Sequence, residues 1–87
     1  MINKFLLKEF GDRIRFLRTQ KKLSQEKLSY KTGFHRTYIG MIERGERNIS
    51  LTNMAIFAKT FDLTIDELLK FVNSKELLKK YETKPQK

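Results

Sequence analysis

The chain has 87 residues, enough for one small domain with a single core. Its 19 Lys and Arg residues against 10 Asp and Glu give a net charge of +9, which indicates an acidic partner: nucleic acid first, an anionic membrane surface second. It has no cysteine, which excludes a disulfide framework and a zinc–cysteine finger, and its single histidine argues against a multi-histidine metal site. We expect neither a signal peptide nor a membrane span, because the longest apolar run near the N-terminus is Phe5-Leu6-Leu7.

The first predicted helix covers about residues 4 to 21. Its evidence is a face of apolar residues at steps of four, four and three positions: Leu6, Phe10, Ile14 and Leu17. Gly11 lies inside this segment and lowers helix propensity by about 1 kcal/mol. We expect the helix to tolerate it.

Two short helices follow, each with its own start and stop signals. Ser24 is a favourable N-cap for a second helix over residues 25–31, and Gly33 can supply the positive φ that ends it. The third helix is predicted over residues 36–44, with Gly45 as its stop. Its inward residues are predicted to be Ile39 and Ile42.

The fourth and fifth helices are predicted from caps and apolar spacing. Ser50 caps the fourth, which ends at Asp62, a residue type that tolerates a left-handed conformation. Thr64 and Glu67 have the Thr-x-x-Glu spacing of a capping box, which opens the fifth helix. The apolar residues assigned to these two helices are Leu51, Met54, Phe57, Ala58 and Phe61, followed by Leu68, Leu69 and Val72.

Five short helices around one core predict an all-α fold. We assign residues 1–73 to this domain, with a helix-turn-helix unit at about 24–44. Residues 74–87 form a basic C-terminal extension, in which we expect one or two amphipathic turns up to Tyr81 and disorder after Glu82.

A helix, a glycine-containing turn and a second helix form the helix-turn-helix unit, whose second helix enters the DNA major groove. Residues 23–69, LSQEKLSYKTGFHRTYIGMIERGERNISLTNMAIFAKTFDLTIDELL, resemble the Cro and phage-repressor type of helix-turn-helix domain. The portion RTYIxxIERGxRN resembles the controller proteins of restriction–modification systems. With the first helix, the resemblance covers residues 6–70. It implies a compact five-helix DNA-binding domain, usually dimeric, that represses or activates promoters.

The resemblance places four residues of the third helix at base edges. Arg36 and Thr37 open that helix; an arginine can bridge guanine O6 and N7, and a threonine methyl can pack on thymine. The alternative for Arg36 is a surface arginine, or one that contacts only phosphate. Gly40 stands where controller-like sequences usually carry Ser, either to let the backbone approach the groove or through drift. Met41 either contacts a thymine methyl or is exposed or faces a dimer partner.

Phosphate contacts are implied for five further residues. Gln25 begins the second helix, beside its exposed N–H groups. Arg44, Arg47 and Asn48 follow the recognition helix; Arg47 is the strongest candidate, and solvated loop charges are the alternative. Tyr38 either packs on the sugar–phosphate backbone or belongs to the edge of the core.

The resemblance also implies structural roles. Arg18 and Glu43 match a pair that forms a buried ion bridge. His35 stands where a Ser, Thr or Asp cap is expected; because histidine caps poorly, we expect it at the rim or near a phosphate. A dimer interface is expected from the fifth helix and the C-terminal segment, since five short helices cannot hide every apolar residue. The residues expected there are Ile56, Ile65, Phe71 and Leu77.

The sequence therefore favours a cytoplasmic, nucleoid-associated regulator of transcription from a bacterium or phage. We expect a homodimer that binds a pseudo-palindromic operator in double-stranded DNA, with no metal, cofactor or membrane. An antitoxin-like interaction module is the alternative, since the C-terminal segment is amphipathic. A small basic nuclease would need a histidine with a carboxylate partner or a cluster of acids, and only His35 is available, flanked by basic groups. We therefore predict that the protein is not an enzyme.

Overall fold

The structure, a computed structural model, describes residues 4–71. This part of the chain contains five helices and no strand, which confirms the predicted all-α architecture. In chain order the helices are α1 (Lys4–Gln20), α2 (Gln25–Thr32), α3 (Arg36–Glu43), α4 (Leu51–Thr60) and α5 (Ile65–Leu68). Val72, Leu77 and the whole predicted extension, with its amphipathic turns and disordered end, lie outside the described residues.

The predicted caps and the predicted stop residues are confirmed by their hydrogen bonds and dihedral angles. The side chains of Ser24, Ser50 and Thr64 accept from the backbone N–H groups three residues later, at 3.0, 3.1 and 3.3 Å. Thr64 and Glu67 form the full capping box. Gly33 has φ of 81° and ends α2 through a hydrogen bond from its N–H, and Asp62 has φ of 60° after α4. These bonds satisfy backbone groups that a helix cannot pair internally.

All five helices contribute to one hydrophobic core. Each of them supplies a side chain with no exposed surface: Ile14, Leu28, Ile39, Phe57 and Leu68. The predicted face of α1 is wrong at its first position, because Leu7 is buried and Leu6 is 38% exposed. Leu7 continues the spacing of Phe10, Ile14 and Leu17 by a step of three, which keeps it on their side of the helix.

The predicted apolar stripe of α4 is wrong at its start, and α5 is shorter than predicted. Leu51 is 65% exposed, whereas Met54 is half-buried against the core and Phe57 is fully buried. Helix α5 ends at Leu68, and Leu69 is 37% exposed.

Gly11 lies at the closest approach of α1 and α3. A Cβ at this residue would lie 2.4 Å from the carbonyl oxygen of Ile42 and 2.6 Å from that of Glu43. Helix α1 continues through it, as expected. The absent side chain lets α3 pack directly on the backbone of α1, and this contact helps to fix the position of α3.

Arg13 connects α1 to α5 through two hydrogen bonds. Its Nε donates to the carbonyl oxygen of Leu68 at 3.1 Å, and its Nη2 donates to that of Glu67 at 2.8 Å. These carbonyls belong to the last turn of α5, where an α-helix leaves acceptors without partners. Arg13 therefore caps the C-terminal end of α5, which has only four residues and is too short to be stable alone.

Candidate nucleic-acid interface

Helix α3 is anchored by its inner face. Ile39 and Ile42 are 0% and 1% exposed. The turn before the helix is held by Phe34, whose ring centroid lies 5.1 Å from those of Phe57 and Tyr38. Because one side of α3 is buried in the core, the orientation of the helix on the domain is fixed and its other side faces outward.

His35 caps α3 through its side chain, which corrects the expectation that it would be a poor cap. Its Nδ1 accepts a hydrogen bond from the backbone N–H of Thr37 at 3.1 Å. The imidazole therefore occupies the role of the expected Ser, Thr or Asp, because its Nδ1 reaches the same donor that a shorter side-chain oxygen would. His35 is exposed, so it lies at the rim of the outward face.

The base-reading candidates lie on the outward side of α3. Arg36 and Thr37 are exposed, Met41 is half-buried and Gly40 is buried. Nη1 of Arg36 lies 3.6 Å from Oε2 of Glu26, and both side chains are more than half exposed. The structure brings Arg36, Thr37 and Gly40 to one cleft of about 550 Å³ between the start of α2 and α3. Met41 is not among the residues that line it.

Arg18 and Glu43, predicted as a pair, are in contact beneath this cleft. Arg18 Nε donates to Glu43 Oε2 at 2.6 Å and Arg18 Nη2 to Oε1 at 3.0 Å. Glu43 is fully buried, and the Arg18 side chain is 13% exposed. The Arg18 Nη1 group also donates to the carbonyl oxygen of Leu23 at 2.8 Å. One arginine of α1 therefore ties the end of α3 to the chain just before α2.

Gln25 belongs to the same network. Its Nε2 donates to Oε1 of Glu43 at 3.1 Å. The sequence predicts a phosphate contact for this amide and contains no signal for the internal hydrogen bond. An amide nitrogen carries two hydrogens, so one donor remains available at the N-terminus of α2.

Tyr38 lies at the edge of the core, one of its two predicted positions. Its ring packs on Phe34, and its hydroxyl oxygen accepts from Nδ2 of Asn53 at 2.9 Å. The guanidinium of Arg47 lies over the ring, 5.4 Å from its centroid, in a cation–π contact. Tyr38 therefore supports Arg47 at the surface.

Arg44 and Asn48, the other phosphate candidates after α3, are both exposed. The Oδ1 atom of Asn48 accepts from the backbone N–H of Ile49 at 3.1 Å. Arg44 donates twice to Glu46, from Nε to Oε2 at 2.9 Å and from Nη2 to Oε1 at 3.1 Å. These hydrogen bonds, with the charge attraction, raise the pKa of Arg44 and lower the pKa of the Glu46 carboxyl. Sequence reasoning gave no role to Glu46, although an acid two residues after an arginine was a visible signal.

The residues predicted for a dimer interface lie partly within the core. Ile65 and Phe71 are half-buried and pack on the core, with the Phe71 ring 6.3 Å from that of Phe10. Ile56 is half-buried. Greater apolar exposure is found at Phe16, Tyr30 and Leu51, with 53%, 75% and 65% of their surface exposed.

Residues 4–71 contain neither a metal-binding cluster nor a membrane span. No group of His, Cys, Asp and Glu side chains there could hold a metal ion. No helix in this part of the chain is long and apolar enough to cross a membrane.

A three-residue turn between two helices, with exposed Arg36 and Thr37 at the start of the second, defines a DNA-binding helix-turn-helix domain. Comparison with known proteins agrees. The family described as Helix-turn-helix matches residues 14–68. The chain belongs to this helix-turn-helix family.

Relatives of the chain include restriction–modification controllers. Control protein C.BamHI of Bacillus amyloliquefaciens is 44% identical over 63 residues, which cover 71% of this chain and 78% of that protein. The controller protein C.AhdI from Aeromonas hydrophila is 48% identical, with a TM-score of 0.68 over 71% of this chain and 94% of that one. The C.Esp1396I controller, solved as a tetramer with its natural 35 base-pair operator, is 33% identical, with a TM-score of 0.70 over 87% of this chain and 99% of that one. These relationships confirm the predicted class, a DNA-binding regulator rather than an enzyme.

Proposed function

We propose that the protein regulates transcription by binding an operator sequence in double-stranded DNA, with the outward face of α3 in the major groove. The observation that carries this proposal is the two-sided character of α3: Ile39 and Ile42 are buried, while Arg36 and Thr37 are exposed at its start. A helix that is anchored on one side can bring the guanidinium of an exposed arginine to a base edge in the major groove. The operator complex of the C.Esp1396I relative supports the same use of the fold.

Within this proposal, the arginines have two separate tasks. Arg36 reads a base, because it lies at the end of α3 that meets the groove in helix-turn-helix proteins. Arg47 binds phosphate, because it follows α3 and is held at the surface over the Tyr38 ring. Thr37 and Met41 add apolar contacts to the groove, and Gln25 and Asn48 contact the backbone.

The proposal includes a homodimer. A single helix-turn-helix unit contacts few base pairs, and two-fold related units read half-sites whose centres lie one helical turn, about 34 Å, apart. We assign the interface to the exposed parts of Ile56, Ile65 and Phe71, together with the segment that follows them. The relative that was solved with its operator is a tetramer, which supports an assembly of more than one chain. The dimer acts in the cytoplasm, at the nucleoid.

Substitution of the two arginines separates base reading from phosphate binding. Arg36→Ala is expected to weaken operator binding by about 1 to 3 kcal/mol and to relax the preference at one base pair per half-site. Arg47→Ala is expected to weaken operator and random DNA alike and to lower the slope of log affinity against log salt by about 0.9 per lost phosphate contact. Binding isotherms on both DNAs at several salt concentrations measure these effects.

Lys59→Ala is the matched control, since it removes one exposed positive charge from the last turn of α4. It is expected to change binding less than either arginine variant. Equal weakening of both DNAs by Arg36→Ala, combined with altered base preference in Arg47→Ala, would reverse the two assignments.

A further inference from the structure

Gly40 leaves an opening on the DNA-facing side of α3, and Arg44 lies across it. Gly40 follows Arg36 by four residues and Thr37 by three, so the three positions share one face of the helix. A Cβ at Gly40 would lie 3.0 Å from Nη1 of Arg44 and 3.8 Å from its Cζ. The guanidinium of Arg44 thus occupies the place where a side chain of residue 40 would emerge.

Arg44 shares the cleft of the base-reading candidates. Arg36, Thr37, Gly40 and Arg44 all line the same space of about 550 Å³. Arg44 follows Gly40 by one helical turn, yet its side chain reaches back along α3 to it. This direction agrees with the general tilt of helical side chains towards the N-terminus, which here is the end that enters the groove.

Glu46 fixes the orientation of the Arg44 guanidinium. The carboxylate accepts from Nε and Nη2, at 2.9 and 3.1 Å. A guanidinium has five N–H donors, so two on Nη1 and one on Nη2 remain. The edge formed by Nη1 and Nη2 is therefore free to bridge guanine O6 and N7. Nη1 is also the atom nearest to the place that a Cβ at Gly40 would take.

The charge of the pair argues against a phosphate clamp. Phosphate binding gains from neutralising a phosphate with a free positive charge, which releases counterions. Glu46 already neutralises Arg44 through two hydrogen bonds, whereas Arg47 lies over an uncharged ring. Recognition of a base edge depends instead on two hydrogen-bond donors in a fixed orientation, and the guanidinium of Arg44 has two such donors.

We propose that Arg44 is a base-reading residue in place of the side chain that Gly40 lacks, and that Glu46 is the positioning residue that holds it in the groove. The ligand is a guanine edge in the major groove. This inference rests on the proposed function, namely sequence-specific binding of double-stranded DNA. It reassigns Arg44 from phosphate contact to base reading and gives a role to an acid on a surface that binds a polyanion.

Selection from random duplex DNA gives the test. The base preferences of the wild-type protein are compared with those of Arg44→Ala and Arg36→Ala. Arg44→Ala is expected to lose preference at one base pair per half-site, other than the one lost in Arg36→Ala, by about five- to 150-fold. Binding to random DNA is expected to change much less. Both Arg44 and Glu46 are about half exposed, so thermal melting should show that their variants fold.

Two further variants distinguish base reading from a phosphate clamp. Arg44→Lys keeps the charge but loses the planar fork, so base reading predicts that the preference stays lost. Glu46→Gln keeps the size of the side chain but removes its charge. It is expected to weaken the same preference while binding to random DNA becomes tighter, since one negative charge is gone.

The outcomes separate this inference from the proposed function. Restoration of operator binding by Arg44→Lys, or tighter binding of all DNAs by Glu46→Gln with unchanged base preferences, would overturn the base-reading role. An unchanged set of preferences in Arg44→Ala would do the same while leaving Arg36 and the regulator proposal intact. If the wild-type protein selects no sequence at all, the proposed function fails, and this inference fails with it.

Discussion

Glu43→Ala is expected to lower the free energy of unfolding by about 3 to 5 kcal/mol, the cost of breaking a buried ion pair by removing one partner. Glu43 is fully buried and receives hydrogen bonds from Arg18 at 2.6 and 3.0 Å. Its loss leaves the guanidinium of Arg18, only 13% exposed, without its carboxylate. Chemical denaturation of both proteins measures the difference.

Glu26→Ala is the control for this prediction. Glu26 also lies near an arginine, at 3.6 Å from Arg36, but its side chain is 56% exposed. An exposed pair contributes at most about 1 kcal/mol, because water screens the charges. Similar losses in the two variants would show that burial of the Glu43 pair has no part in stability.

Gly11→Ala is expected to destabilise the fold by about 1 to 3 kcal/mol, the usual cost of overpacking a well-packed interior. The added Cβ would lie 2.4 Å from the Ile42 carbonyl oxygen, so α1 and α3 must move apart. This cost acts against the gain of about 1 kcal/mol that alanine brings to a helix. Overpacking therefore predicts a loss of stability, whereas helix propensity alone predicts a gain. Thermal melting of the variant shows which effect is larger.

Gly40→Ala provides the matched control within a helix. Its Cβ would approach the end of the flexible Arg44 side chain at 3.0 Å rather than a backbone atom. Arg44 can shift by a few tenths of an ångström, so the gain in helix propensity is expected to remain and stability to stay equal or rise. A Gly11→Ala variant as stable as Gly40→Ala would contradict the close contact between α1 and α3.

Much of the fold could be predicted from the sequence because its signals are local. The caps at Ser24, Ser50 and Thr64 act over three residues, so the pattern that predicts them also contains their partners. Periodic apolar spacing gave the core faces in the same way. The exceptions are Leu6, Leu51 and Leu69, which lie near helix ends and are exposed.

Contacts between distant parts of the chain could not be predicted in this way. Arg13 donates a hydrogen bond to a carbonyl oxygen 55 residues later, and Gly11 packs directly against the backbone of α3. Neither contact leaves a pattern around the residue itself. Arg18 and Glu43 were paired only because the sequence resembles a known family.

In the candidate site, too, the local features could be predicted from the sequence and the contacts between side chains could not. The position of α3 and the exposure of Arg36 and Thr37 agree with what the turn and the resemblance imply. The internal partners of Gln25 and Arg44 depend on side-chain geometry around the cleft. Local pattern alone does not predict that Glu43 accepts a hydrogen bond from Gln25, nor that Arg44 lies across Gly40.

The most direct test of the central claim, that α3 reads DNA in a symmetric assembly, is selection of wild-type binding sites from a pool of random duplex DNA. The account predicts enrichment of two inverted half-sites with centres about 34 Å, or one helical turn, apart, and with guanine at the position that Arg36 reaches in each half-site. Recovery of the pool without enrichment, at an affinity governed by salt alone, would contradict it.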